Sequence, residues 1–339
     1  MAHQVIDLHC DSVLSLMEGK DLRGPVPGVH VDVARLKAGG VGLQVFAAYV
    51  PAETAGGEAY RYANERLDAI DALAKSDERL TPVETAAELR AVMGGDRTGI
   101  MASVENGLAI ESSLEKLEAL RRRKVRIMTL VHSQHLAWVA SCTGTGPFLP
   151  DGGGGQNNGL SSFGGQVVDA MNDLGIIIDL SHSAESAFWD VIRRSKKPVI
   201  ASHSCAWSLC AAARNLKDDQ LKALGDSGGL VGVNFFSGFL SESFRLAYEK
   251  NNYTVPSDGA VHVPSTTIAD HIDYMVNIAG EDSVTLGSDF DGVSATPEGV
   301  TGSDFYPLLE AELVSRGYSD KRIEKIFSGN FLRVLEEWD

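Results

Sequence analysis

Six side chains able to bind metals or move protons stand directly after short apolar runs: His9 and Asp11, Glu105, His182, His203 and Asp289. The runs are VIDL, IMASV, IIIDL, PVIAS and VTLGS. Each predicts a buried parallel strand that delivers one polar side chain at its C-terminal end, where a (β/α)8 barrel assembles its chemistry. His9 and Asp11 are two apart, so in an extended strand they share a face while Cys10 points away, and one divalent ion can take both. His182 and His203 follow successive strands, which are neighbours in a barrel, so their imidazoles can converge on a second ion. Glu105 is the only acid of its segment, and its two oxygens suit it to bridge both ions. Taken singly, each residue is an ordinary polar group at a strand end or turn. Together they describe two ions roughly 3.5 to 4 Å apart sharing a carboxylate and a water, which activates water for hydrolysis at neutral pH. Mixed histidine and carboxylate ligation favours zinc, with manganese, cobalt and iron also compatible.

Eight strand signals alternate with helical patterns: Val5–Leu8, Leu43–Tyr49, Gly99–Val104, Val125–Val131, Ile176–Leu180, Val199–Ser202, Leu230–Phe235 and Val284–Ser288. Helical spacing marks Tyr60–Lys75, Ser112–Arg123, Phe163–Leu174 and Asp218–Asp226 among the segments between them. The predicted fold is one α/β domain over residues 1–339, a closed (β/α)8 TIM barrel with a binuclear metal centre at the C-terminal ends of its strands. A doubly wound open sheet would gather ligands at one switch point, whereas these residues are spread over most strand ends. Two long connections, Thr143–Ser162 and Ser237–Thr267, break the rhythm. The four glycines Gly152–Gly155 lack the Lys-Ser/Thr of a phosphate loop, and they predict a flexible loop.

The 339 residues carry 46 acidic and 30 basic side chains, a net charge of −16, which disfavours nucleic acid and anionic membrane surfaces as partners. The basic cluster Arg121–Lys124 lies late in a helical pattern, where cations complement the helix dipole. No run of about 18 apolar residues predicts a membrane span. Four cysteines without paired spacing predict a reducing compartment. A first strand beginning at Val5 leaves no room for a secretion leader, so a cytoplasmic protein is expected unless a leader has been removed. Nothing in the sequence decides between a monomer and a homodimer.

The segments VIDLHCDS, SVENG, TLVHS, GIIIDLSHS, PVIASHS, AARN, LGSDFDGV and GNFLRV, in that order over residues 5 to 334, resemble the membrane (renal) dipeptidases, a branch of the metal-dependent amidohydrolase-like barrels. The resemblance implies that His9 and Asp11 bind one zinc, that His182 and His203 bind the other, and that Glu105 bridges them. It implies further that His132 contacts the scissile carbonyl as it becomes tetrahedral, that Arg214 grips the substrate carboxylate, that Tyr49 lines the pocket, and that Asp289 shuttles the proton. His135, three residues on, competes with His132 on sequence alone, and the family pattern favours His132. Arg214 has the planar fork that a carboxylate needs, although a surface salt bridge would use it equally well. Asp291, in the same DFDG turn as Asp289, is expected to hold the turn. The segment TLVHSQHLAW departs from the family's Asn- and Asp-rich wording, which leaves fine substrate preference open.

The expected function is a dipeptidase with two zinc ions per chain. It would cleave the one peptide bond of a free dipeptide with a hydroxide shared by the metals, and Asp289 would pass the proton to the leaving amine. The resemblance implies tolerance of a D-residue at the C-terminal position and some β-lactam hydrolysis. A barrel of the same superfamily acting on another amide, a lactone or a phosphoester is the enzymatic alternative; Arg214 speaks for a free carboxylate in the substrate. A non-catalytic metal-binding sensor is the alternative from another class, and it would have no need of Asp289. The Ser, Cys and His residues of SHSCAWSLC lack the partner spacing of a nucleophilic pair.

Overall fold

Val5–Cys10 and Val41–Tyr49 are rich in branched apolar residues and are buried along almost their whole length, as strands covered on both faces must be. They form β1 and β2 of the structure, a computed structural model that describes residues 3–54, 57–148, 159–257 and 261–339. The later strands are β3 (Leu80–Pro82), β4 (Thr98–Glu105), β5 (Ile127–Thr129), β6 (Ile177–Asp179), β7 (Ile200–Ser204), β8 (Leu230–Val233) and β9 (Val284–Leu286). All pairings between them are parallel. β1 bonds to both β2 and β9, and β2 bonds to β4, so eight strands close a barrel with β3 outside the ring.

β3 is the strand that the sequence reading did not count. It lies along the N-terminal part of β4, pairing Leu80–Pro82 with Thr98–Ile100, while β5 takes the C-terminal part of the same edge, from Ser103 to Glu105. Three residues with a proline carry little strand signal, and an outer edge is where a proline is tolerated. The eight expected strands are the eight of the barrel with shifted ends. β5 and β6 shrink to three residues each, Glu105 becomes the last residue of β4, and His203 falls inside β7 rather than after it.

The helices Ala59–Ser76, Leu114–Arg122, Ser162–Leu174 and Asp218–Asp226 fall within two residues of their expected bounds. Ser113 decides one start: its hydroxyl accepts from the Lys116 N–H at 3.3 Å, so the helix begins at Leu114 and not at Ser112. The basic cluster that follows is internally paired, Arg121 with Glu84 at 2.6 Å and Arg123 with Asp68 at 2.7 Å. Helices Thr266–Ala279, Tyr306–Ser315 and Asn330–Trp338 complete the outer layer.

The long connection after β8 requires a correction, because it is largely helical. It carries Ser237–Leu240 and Glu242–Lys250, and Ser241 caps the second helix by accepting from Phe244 N–H at 3.3 Å. Phe236, Phe244 and Val263 form a small apolar cluster here, separate from the barrel core. The Gly152–Gly155 run lies outside the described residues. No helix among the described residues is long and apolar enough to cross a membrane.

Candidate metal centre

The chain folds so that six side chains from five strand ends of the barrel meet at one place. His9 comes from β1 and Asp11 from just beyond it, 3.4 Å apart at Nε2 and Oδ2. Glu105 ends β4, His203 sits in β7, His182 follows β6 and Asp289 follows β9. His182 and His203 face each other at 3.1 Å between their Nε2 atoms. Glu105 stands between the two groups with its oxygens turned opposite ways. Oε2 is 3.6 Å from His9 Nε2, whereas Oε1 is 3.2 Å from His182 Nε2 and 3.6 Å from His203 Nε2.

The donor set fits divalent cations. His9 Nε2 and Asp11 Oδ1 are buried and have no hydrogen-bond partner among the described residues, and both residues belong to the cluster. Such atoms are costly unless something binds them. Three carboxylates, Asp11, Glu105 and Asp289, are also crowded into one buried volume. Burial pushes the Asp289 carboxyl up to about 7, and Asp11 and Glu105 add to the rise against the pull of His9. Burial also holds the imidazoles of His132, His182 and His203 below the usual histidine range, which keeps them neutral and able to offer a lone pair. Burial pulls the His9 imidazole down as well, but the same carboxylates, Glu105 and Asp11, raise it above the usual range, and a cation among them would take the place of that proton.

The ligands are held in turn by buried groups that sequence reasoning passed over. Asp179, read there as part of an apolar strand, accepts from Ser181 N–H, Ser202 N–H, Thr129 Oγ1–H and Ser202 Oγ–H at 2.6 to 3.0 Å. The Ser202 hydroxyl has one proton, and that proton goes to Asp179. Hence His203 Nδ1, 2.7 Å from Ser202 Oγ, must be the donor of that bond, and its Nε2 is left as a lone pair facing the cluster. Asp7 anchors the backbone at His9, accepting from His9 N–H at 3.3 Å, from Ser288 N–H at 2.9 Å, and from Ser288 Oγ–H and Tyr306 Oη–H at 2.6 Å each. Ser202→Ala should therefore weaken zinc binding by roughly 10- to 100-fold, because the His203 ring loses the acceptor that fixes its tautomer. Competition for zinc against a chelator measures this directly, and an unchanged affinity would reject the relay.

Asp289 is positioned from two sides. Its Oδ2 accepts from Asn234 Nδ2–H at 2.8 Å, and its Oδ1 lies 3.9 Å from His9 Nε2. Asn234, directly after β8, is a further residue that the sequence reading missed. Asp289 and His182 both take left-handed backbone, with φ of 62° and 69°. Non-glycine residues seldom adopt it unless the surrounding fold imposes it. Gly292 closes the same turn, and a Cβ there would collide with Asp11 Oδ2 and Asp289 Oδ1. Asp291 accepts from Ser12 Oγ–H at 2.5 Å and from His30 N–H at 2.7 Å, which ties the turn to the segment after β1.

A cavity of about 360 Å³ opens over the cluster, and Tyr49, His132 and Arg214 line it together with Asp11, Glu105 and Asp289. The His132 ring is 4.8 Å from Tyr49 and 4.2 Å from His182, between centroids. His135 is elsewhere: its Nδ1 accepts from Ser141 N–H at 3.0 Å, within its own loop. Arg214 is 7% exposed, and its guanidinium donates to His203 O at 3.1 Å and contacts Ser204 Oγ at 3.5 Å, neither of them an acid. A buried guanidinium bonded only to neutral oxygens retains its charge for an incoming anion.

The chain is similar to known proteins in both sequence and fold. The family model described as membrane dipeptidase (peptidase family M19) matches residues 1–339. Dipeptidase 3 of Mus musculus is 31% identical over 308 residues, 91% of this chain and 58% of that protein, so the chain spans under two thirds of that relative's length. A metallo peptidase from Rhodobacter sphaeroides, solved with a phosphinate mimic of the dipeptide L-Ala-D-Ala, superposes with a TM-score of 0.84 at 26% identity and full coverage of both chains. The structure of a metallo peptidase named dipeptidase AC gives 0.85 at 27% identity, with 99% of each chain covered.

Proposed function

The chain belongs to the membrane dipeptidase family, and on that premise we propose that it is a zinc-dependent dipeptidase, acting through one barrel unit on free dipeptides that include L-Xaa-D-Xaa. His9 and Asp11 would hold one ion, His182 and His203 would hold the other, and Glu105, with one oxygen toward each pair, would serve both. The ions, when bound, supply the Lewis acidity that makes water a nucleophile at neutral pH and polarise the scissile carbonyl. Asp289, held by Asn234, takes the proton from the attacking water and returns it to the leaving amine. His132, also on the cavity lining, donates to the carbonyl oxygen as charge develops on it. The four cysteines are free, which supports a reducing, cytoplasmic setting.

The observation that carries this reading is Arg214. It is a buried, uncompensated guanidinium on the wall of a cavity whose floor is the candidate metal cluster. The relative solved with a dipeptide mimic supports the same substrate class for this chain. A clamp of this kind holds a free carboxylate one residue beyond the scissile bond and so restricts the enzyme to dipeptides. C-terminal amidation of a good dipeptide and Arg214→Met should each lower kcat/KM at least roughly tenfold, and the two together should cost little more, because both delete one interaction. Kinetics of the four combinations test it. Fully additive losses would refute the clamp, and tripeptides cleaved as fast as dipeptides would refute the dipeptidase.

A further inference from the structure

The helical insertion after β8 has a place in substrate selection. Phe236, Phe239 and Tyr248 line the cavity on the side between β7 and β9, facing the polar groups of the metal cluster. They pack on one another as well, Phe236 against Phe239 at 4.9 Å and against Tyr248 at 5.4 Å between ring centroids. Behind them stand Phe244 and Val263, so the wall has a small apolar core of its own. Its register to the rest of the site is fixed at both ends. Asn215, the residue after Arg214, donates from Nδ2 to Phe239 O at 2.8 Å, and Asn234, which holds Asp289, accepts from Phe236 N–H at 2.7 Å. The Arg214 guanidinium consequently lies 5.5 Å from the centroid of the Phe239 ring.

We infer that this wall is the side-chain subsite for the C-terminal residue of the substrate, and that it selects large apolar or aromatic residues there. The inference rests on the dipeptidase reading above. A residue whose carboxylate is on Arg214 has its Cα one bond from that carboxylate, so its side chain can reach only the neighbours of Arg214. On one side those neighbours are His203 and Ser204, hydrogen-bonded to it, together with Cys142 and Trp207 of a second cavity that Arg214 also borders. On the other they are Phe239 and, beyond it, Phe236 and Tyr248. An apolar side chain placed there leaves water for an aromatic surface, whereas a charged one would lose its hydration against rings that offer few hydrogen bonds. In a dipeptide held this way the N-terminal residue is beyond the scissile bond, farther from Arg214 than the C-terminal side chain is.

Three dipeptides, L-Ala-Gly, L-Ala-L-Phe and L-Phe-Gly, assayed with zinc-loaded protein, separate the outcomes. Burial of one phenyl ring should make kcat/KM for L-Ala-L-Phe roughly 10- to 100-fold higher than for L-Ala-Gly, with no such gain for L-Phe-Gly. Phe239→Ala should lower kcat/KM for L-Ala-L-Phe at least roughly tenfold more than for L-Ala-Gly, and Phe239→Leu, still apolar, should retain most of the preference. Free L-phenylalanine should inhibit better than glycine in the wild type, and this difference should shrink in Phe239→Ala. Equal efficiency on L-Ala-Gly and L-Ala-L-Phe overturns the subsite and leaves the dipeptidase standing. A preference shown by L-Phe-Gly and abolished by Phe239→Ala assigns the wall to the wrong end and overturns the inference as stated. No turnover of any of the three overturns both readings.

Discussion

Asp289→Asn is expected to lower kcat by roughly two to four orders of magnitude while zinc content stays near normal. The substitution is close to isosteric, and asparagine is among the few residues that accept the left-handed backbone of this position, φ 62°, so the turn should survive. The Asn234 Nδ2–H that now meets Asp289 Oδ2 at 2.8 Å can still donate to an amide oxygen. What is lost is a group able to take a proton from water and return it to an amine. Paired measurements decide the matter: turnover of a dipeptide, and metal content by elemental analysis. Turnover near the wild-type rate would reject the proton-shuttle role. Loss of both zincs would make Asp289 a structural ligand, which its place 3.9 Å from His9 Nε2 makes a concrete alternative. Gly292→Ala probes the same turn from the other side, since a Cβ there would press on Asp289 and Asp11 together.

The residues that this prediction uses show where sequence reasoning reaches and where it stops. His9, Asp11, Glu105, His182, His203 and Asp289 were legible because a buried parallel strand is nearly all apolar, so a lone polar residue at its end stands out. The structure brings all six to one place, and it sets His132, Tyr49 and Arg214 on the cavity above them. Their roles as ligands, shuttle and clamp still rest on the family resemblance and on chemistry. Asp7 and Asp179 were hidden by the same logic, because they lie within the apolar runs and look like interruptions; only the fold brings Ser288 and Tyr306 to the first, and Ser202 and Thr129 to the second. Asn234 was hidden in the same way. The expected strand Leu230–Phe235 ran through it, so it read as one polar residue within a strand until a contact 55 positions away gave it a partner. The insertion after β8 was taken for loop because its helices are short and serine-rich, and their apolar residues pack on one another and on the site rather than on the barrel core.

Glu105→Ala is expected to have the other large effect, and the pattern of loss matters more than its size. His9 lies on the side of Oε2, and His182 and His203 lie on the side of Oε1, so on the proposed reading one carboxylate would complete both halves of the centre. Its removal should weaken both ions together. Stepwise zinc titration of Glu105→Ala should show two weakened equivalents, and activity should fall by at least roughly a hundredfold, since neither half retains a full set of ligands. His182→Ala should instead weaken one equivalent and leave the His9 and Asp11 side close to wild type. The contrast between the two variants is the measurement, because a carboxylate that served only one ion would give the same single loss as the histidine. If Glu105→Ala kept one tight equivalent, or if wild-type protein saturated at a single zinc, the bridge would be excluded. The distances of Glu105 to the two pairs would then describe a carboxylate that neutralises neighbouring imidazoles rather than one that joins two metals.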